Sequence, residues 1–278
     1  MKSKAKVLFI AQEIDPYVHE SVIADVCRKF PQYAQERGCE IRVFMPCYGH
    51  VNERRNQLHE VQRLSGLNII INDNDHPLVI KVASIQSARI QVYFIDSDDY
   101  FRRRGISKDT NGVPFNDNDE RSVFFVRSVL ETIKKLRWTP DIVYCAGWIS
   151  ALAPMFIKCS YYTDPFFAKS KIVFSIFDSQ VDSPVSPNIE SRLVFDFVKP
   201  EHFPELHNAT SYRSDDLDCL ALRYSDAAIL ETPNVSQRVR EFISENNIPT
   251  LPYGSPDNIG ARQYSAFSHI CPDLFPKE

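Results

Sequence analysis

The run Glu13-Ile14-Asp15-Pro16-Tyr17-Val18-His19-Glu20-Ser21-Val22 gathers three carboxylates, a histidine and a tyrosine into ten residues without one glycine. A loop that ends in a helix can hold an anion on the free N–H groups of the first turn, provided the backbone can approach it and no like charge stands beside it. Here Glu20 is the like charge and Val22 brings a β-branched side chain. Two basic runs, Arg54-Arg55 and Arg102-Arg103-Arg104, could touch a phosphate, but such runs are more often a solvated surface or an exposed turn. Glu201, His202, Glu205 and His207 are all types that ligate metals and crowd together, yet their spacing fits neither a helical nor a knuckle site, so no metal is expected. No G-x-S-x-G, H-E-x-x-H, G-x-G-x-x-G or phosphate-loop signature occurs, which leaves hydrolase, metalloprotease, dehydrogenase and P-loop chemistry without support.

The elements around the first loop explain why it matters. Val7-Leu8-Phe9-Ile10 is a short apolar run without alternation, the pattern of a strand covered on both faces of a parallel sheet. Ile23, Val26, Cys27, Phe30 and Ala34 follow at helical spacing, Gly38 stops that helix, and Ile41 to Phe44 read as a second strand. The result is a βαβ unit whose first loop lies at the carboxyl edge of the sheet, where ligands bind in such folds. Beyond it, residues 50–64 read as a loop with a short helix. Residues 69–71, 78–83 and 90–95 read as hairpin strands, and Asp117 opens a long amphipathic helix. Pro140 to Cys145 and Ile172 to Asp178 read as further buried strands, the former delivering the loop Ala146-Gly147-Trp148-Ile149-Ser150 to the same edge. Residues 179–212 are expected to be an irregular loop-helix region. Residues 216–224 and 235–243 read as helices, and 227–230 and 248–251 as strands. The fold class is α/β: one Rossmann-like domain over residues 1–255, mainly parallel with an added hairpin region, and a tail over 256–278.

Composition bounds the partners. The 278 residues are 44% hydrophobic and 24% charged, with a net charge of −4 and acids and bases interspersed, so neither nucleic acid nor an anionic membrane is an expected partner. The first residues lead straight into a strand, not into a leader, and a cytoplasmic location is expected. Seven cysteines without a C-x-x-C pair point to buried core residues, not to disulfides or zinc. Glycine numbers 8 against 18 prolines. A usual content of about 7% predicts about twenty glycines.

The opening run resembles the N-terminal start of bacterial glycogen synthases and plant starch synthases, which read S-E-x-x-P-[FY]-x-K-x-G-G-L-A-D-V, then L-P, R-G-H-x-V-R-V and P-x-Y-G. Glu13, Pro16, Tyr17, Ala24, Asp25, Val26, Pro31, Arg37, Gly38, Arg42, Val43, Pro46, Tyr48 and Gly49 match in register. Further matches are Val92 to Asp96 with Tyr100-Phe101, then Asn118, Glu120, Arg121, Phe125 and Arg127, then Tyr161 with Asp164 to Phe167. The resemblance implies the N-terminal half of a GT-B glycosyltransferase, with a glucosyl donor gripped at the carboxyl edge. At those grip positions the chain departs from the pattern. The family's lysine falls on His19, its glycine pair on Ser21 and Val22, its two H-D-W-H histidines on Ala146 and Ile149, and its later His-Asn pair on Phe177 and Asp178. Neither alanine, isoleucine nor phenylalanine can donate a hydrogen bond or titrate.

The resemblance therefore implies a glycogen/starch-synthase-like domain that is catalytically degenerate, needs no cofactor and binds a glucan, a maltooligosaccharide or a protein partner. The retained Glu13, Tyr17, Asp25, Tyr100 and Trp148 are the candidate glucan contacts, since carboxylates and aromatic faces are what sugars bind; fold maintenance is the alternative role for each. In the family a second domain supplies the diphosphate-binding Arg and Lys, and no counterpart is expected within these residues. Two other readings stand beside this one: an active ADP-glucose:glucan glucosyltransferase completed by a separate nucleotide-binding subunit, and a regulatory interaction protein without sugar affinity.

Overall fold

The computed structural model describes residues 4–178, 181–185, 189–194, 197–207 and 209–275. β1 (Lys6–Ala11) runs through the middle of a ten-stranded sheet, and Val7, Leu8, Phe9 and Ile10 are almost wholly buried. Each such side chain contributes roughly 1.5–3 kcal/mol of burial, which is why an unbroken apolar run occupies this place. α1 (Val22–Glu36) crosses back over the sheet with Ile23, Val26, Cys27, Phe30 and Ala34 facing inward, and β2 (Glu40–Pro46) pairs parallel to β1. Gly38 ends α1 at φ +87°, a left-handed conformation that costs glycine nothing.

The next strands form the added hairpin region: β3 (His59–Glu60), β4 (Leu67–Ile71), β5 (Asn74–Ile85) and β6 (Ile90–Asp96). β6 pairs parallel to β2, whereas β5 is antiparallel to β6, β4 and β3. The helix expected within residues 50–64 is replaced by hydrogen-bonded turns and β3, because Asn52 closes the turn with both its side chain and its carbonyl. α2 (Asn118–Lys135) is buried almost all round. β7 (Ile142–Ala146), α3 (Ala153–Cys159) and β8 (Lys171–Ile176) continue on the other side of β1.

Part of the expected irregular region, including Pro187, lies outside the described residues. The rest holds a two-stranded ribbon, β9 (Asp182–Pro184) with β10 (Ser211–Arg213), and the short α4 (Ile189–Leu193). α5 (Ser214–Arg223), β11 (Ala227–Leu230), α6 (Gln237–Glu245) and β12 (Thr250–Leu251) complete the sheet, whose order is β12-β11-β8-β7-β1-β2-β6-β5-β3. The stretch after Pro256, expected as a tail, instead carries α7 (Ala261–Ile270), which packs on α1 through Phe267 against Phe30 and Tyr264 against Tyr33.

The seven cysteines are unpaired and six are buried. Among the described residues no helix is long and apolar enough to cross a membrane. Glu201, His202, Glu205 and His207 do not converge: Lys199 lies near Glu201 and donates its backbone N–H to His202, Arg223 takes Glu205, and Glu190 takes His207.

Candidate functional site

β1 has β2 on one side and β7 on the other, so the chain leaves the centre of the sheet in opposite directions and opens a crevice at the carboxyl ends of β1 and β7. Gln12 closes the base of that crevice. Its N–H donates to the Ala146 carbonyl at 3.0 Å, its Oε1 accepts from the Trp148 N–H at 3.1 Å, and its Nε2 donates to Glu13 Oε1 at 2.5 Å. Gly147 makes this possible. It sits at φ +84°, and a Cβ there would lie 2.4 Å from Gln12 Oε1.

The crevice widens into a cleft of about 640 Å³, a size usual for small-ligand sites. Glu13 and Trp148, 5% and 2% exposed, form its inner end. At the start of α1, Glu20 at φ +61° and the exposed Val22 line the cleft, and Ser21 caps the helix by accepting from the Ala24 N–H at 3.3 Å. The first turn is thus capped by its own side chain. Phe177 and Asp178 follow β8. Glu231, Thr232 and Asn234 follow β11, whose Glu231 N–H donates to the Ile176 carbonyl at 2.8 Å.

The far wall comes from the C-terminal stretch. Arg262 reaches back from α7 to ion-pair with Glu231 and donates to the Pro252 carbonyl at 2.8 Å, while Gln263 Nε2 donates to the same carboxylate at 3.0 Å. Burial pushes the Glu231 carboxyl up, and Arg262 and Gln263 only partly offset this. Four carboxylates, Glu13, Glu20, Asp178 and Glu231, therefore line the cleft against one guanidinium already engaged by one of them.

Of the residues singled out in the sequence, the fold brings Glu13, Trp148, Ser21, Val22, Phe177 and Asp178 together here. Ala146 and Ile149 are fully buried beneath the cleft and present no polar atom to it. Tyr17, Asp25 and Tyr100 do not line it. Tyr17 packs edge-on against Phe94 with ring centroids 4.8 Å apart, and burial pushes its phenol up to about 12. Asp25 pairs with Lys29 on the half-exposed side of α1. Tyr100 is 2% exposed, packs on Phe124 and donates to Glu120 at 3.0 Å. His19 points away to Asp15 at 3.0 Å and borders a different cavity. Sequence reasoning missed Gln12, Glu231, Asn234 and Arg262. A signal existed for Gln12, which directly precedes the loop, but none marked Arg262, whose partner lies 31 positions away.

The starch synthase catalytic domain family matches residues 6–247. A glycogen synthase of Pelodictyon phaeoclathratiforme is 40% identical over 250 residues, covering 90% of this chain and 49% of that protein. A glycogen synthase of Chlorobium phaeovibrioides is 31% identical over 276 residues, covering 94% of this chain and 54% of that one. The chain thus spans about half the length of these relatives. Among solved structures, the catalytic domain of starch synthase IV from Arabidopsis thaliana, bound to ADP and acarbose, superposes with a TM-score of 0.71 at 16% identity over 94% of this chain and 53% of that one. That likeness establishes the fold as the N-terminal half of a GT-B architecture. With a family match that runs through all but the two ends of the chain, this protein belongs to the starch synthase catalytic domain family.

Proposed function

We propose that this chain is a catalytically degenerate starch/glycogen-synthase-like domain that binds a neutral glucan in the cleft and does not itself transfer glucose. The observation that carries this reading is the charge of the lining: four carboxylates face one guanidinium that Glu231 already holds. A nucleoside diphosphate sugar brings negative charge into that field without a free cation among the described lining residues to meet it. A glucan brings none. Its hydroxyls are met by carboxylates and by the Gln12, Ser21, Thr232 and Asn234 side chains, and its apolar ring faces suit the half-exposed Tyr253, with the edge of the buried Trp148 at the inner end.

Loss of a single donor to a developing charge commonly costs about 10²–10³ in rate. Ala146, Ile149 and Phe177 fall where the family pattern that the sequence resembles reads histidine, and all three are buried apolar side chains. The test is a titration of Trp148 fluorescence in a Trp138→Phe background with maltotetraose and, separately, with ADP-glucose. A saturable response to maltotetraose alone is expected. Saturable binding of ADP-glucose, or glucosyl transfer by the purified chain, would overturn the reading in favour of an enzyme. Silence with both sugars would point to a protein partner instead.

A further inference from the structure

A second cavity of about 390 Å³ lies on the other side of the first loop, between residues 16–19 and the turn that follows β2. Its chemistry is the reverse of the cleft's. His19, His50 and Arg55 line it together with Asn52 and Asn56, and no carboxylate does. Among the described residues the exposed Arg55 guanidinium, like that of Arg54, has no hydrogen-bond or ion-pair partner, so its charge is open to a ligand in the cavity that it lines.

The walls are held by the backbone and do not depend on a ligand for their shape. The Arg55 N–H donates to Asn52 Oδ1 at 2.8 Å, the Asn56 N–H to the Asn52 carbonyl at 3.0 Å and the Leu58 N–H to the Glu53 carbonyl at 2.9 Å. Opposite, the Tyr17 and Val18 N–H groups both donate to the Ile14 carbonyl, at 2.9 and 3.0 Å. His50 is stacked on the buried Tyr48, centroids 5.6 Å apart and planes within 8°, which sets its ring orientation. Asp15 accepts from His19 Nδ1–H, leaving Nε2 as the nitrogen open to a ligand, a donor only in the protonated ring.

We propose that this cavity is a binding site for a tetrahedral oxyanion, a phosphate group, with Arg55 as its fixed charge and His19 and His50 as donors. A planar guanidinium beside two imidazoles, with amide side chains next to them, is the donor set that phosphate oxygens take. The proposal stands whether or not the cleft takes a glucan, because it uses a separate cavity. The phosphate can be the free ion or a monoester on a sugar, and the space allows either.

Sulfate is the first probe, since it stays a dianion across the working range and any pH dependence then belongs to the protein. Partial desolvation holds the His50 imidazole below its ordinary value against the opposing pull of Glu13, and it takes up its proton as the solution becomes acid, so affinity for sulfate is expected to tighten as pH falls from 8 to about 5.5. Calorimetry should show Arg55→Gln weakening sulfate and phosphate roughly tenfold. His50→Gln should flatten the pH dependence. Arg54→Gln, the neighbouring charge that is exposed like Arg55 but does not line the cavity, should change affinity by less than about twofold. Hexose 6-phosphate binding at least tenfold tighter than inorganic phosphate assigns the site to a sugar phosphate, and equal affinity assigns it to the free ion. No saturation by any of the three below about 10 mM at pH 6, or an Arg54→Gln effect as large as that of Arg55→Gln, overturns the site.

Discussion

Gly147 shows how one residue without a side chain organises the candidate site. Its lack of a Cβ lets the Gln12 amide pass close enough to bond the Trp148 N–H and to steady Glu13. A side chain at φ +84° is strained, and here it also meets Gln12 Cβ at 2.7 Å. Gly147→Ala is therefore expected to destabilise the fold by about 1–3 kcal/mol, read from urea unfolding, and to weaken any ligand whose binding Trp148 reports. Ser21 gives the complementary lesson. A hydroxyl that caps α1 uses donors that a glycine at that place would leave open to an anion.

Elements are joined in this fold by few but well-placed ties. Asp226, just before β11, accepts from Lys171 Nζ at 2.8 Å and from the Ile172 N–H at 2.9 Å at the start of β8, with Lys158 at 3.4 Å. Burial alone would raise its carboxyl, but Lys171, the Ile172 N–H and Lys158 together hold it below the ordinary value. A depressed folded pKa contributes stability that is present above the unfolded value and lost as pH falls through the folded one. Asp226→Asn should therefore cost about 1–2 kcal/mol in denaturant at pH 7, and the gap from the parent should shrink in acid. A loss that stays constant down to about pH 2 would show the tie to be steric. α7 is the other binding element. Phe267 is fully buried against Phe30 and Phe275, at 5.0 and 5.3 Å, so Phe267→Ala is expected to cost about 3–5 kcal/mol and to disturb the Arg262 wall of the cleft. Calorimetric unfolding measures the first effect and Trp148 fluorescence the second.

At the scale of the whole molecule the first loop is a partition between two cavities of opposite character. Glu13, Glu20 and Ser21 face the acidic cleft, and Pro16 to His19 face the basic cavity. The difference is a matter of charge placement, since the net charge of −4 is small and mixed in sequence. Ligands that bind only the folded state raise its stability, by about 2.7 kcal/mol at a hundredfold excess over Kd. Maltotetraose at that excess should raise the unfolding temperature, and ADP-glucose should leave it unchanged. A shift of equal size with ADP-glucose would place a nucleotide sugar in the cleft.

The sheet and its first strand-to-helix loop could be read directly from the order of residues, because buried parallel strands and amphipathic helices write their periods locally. Val7 to Ile10, the α1 stripe and Gly38 are each legible within a few positions. The apolar character of Ala146, Ile149 and Phe177 was legible too, since a hydrocarbon side chain cannot hydrogen-bond wherever it lies. Folding alone decided which retained side chains face the cleft. Tyr17 and Tyr100 have the right chemistry for a sugar, yet both are buried against Phe94 and Phe124 and do not line the cleft. It also decided that residues after Pro256 wall the cleft, because the Arg262–Glu231 pair and the Phe267 contact are long-range and leave no periodic trace in the chain.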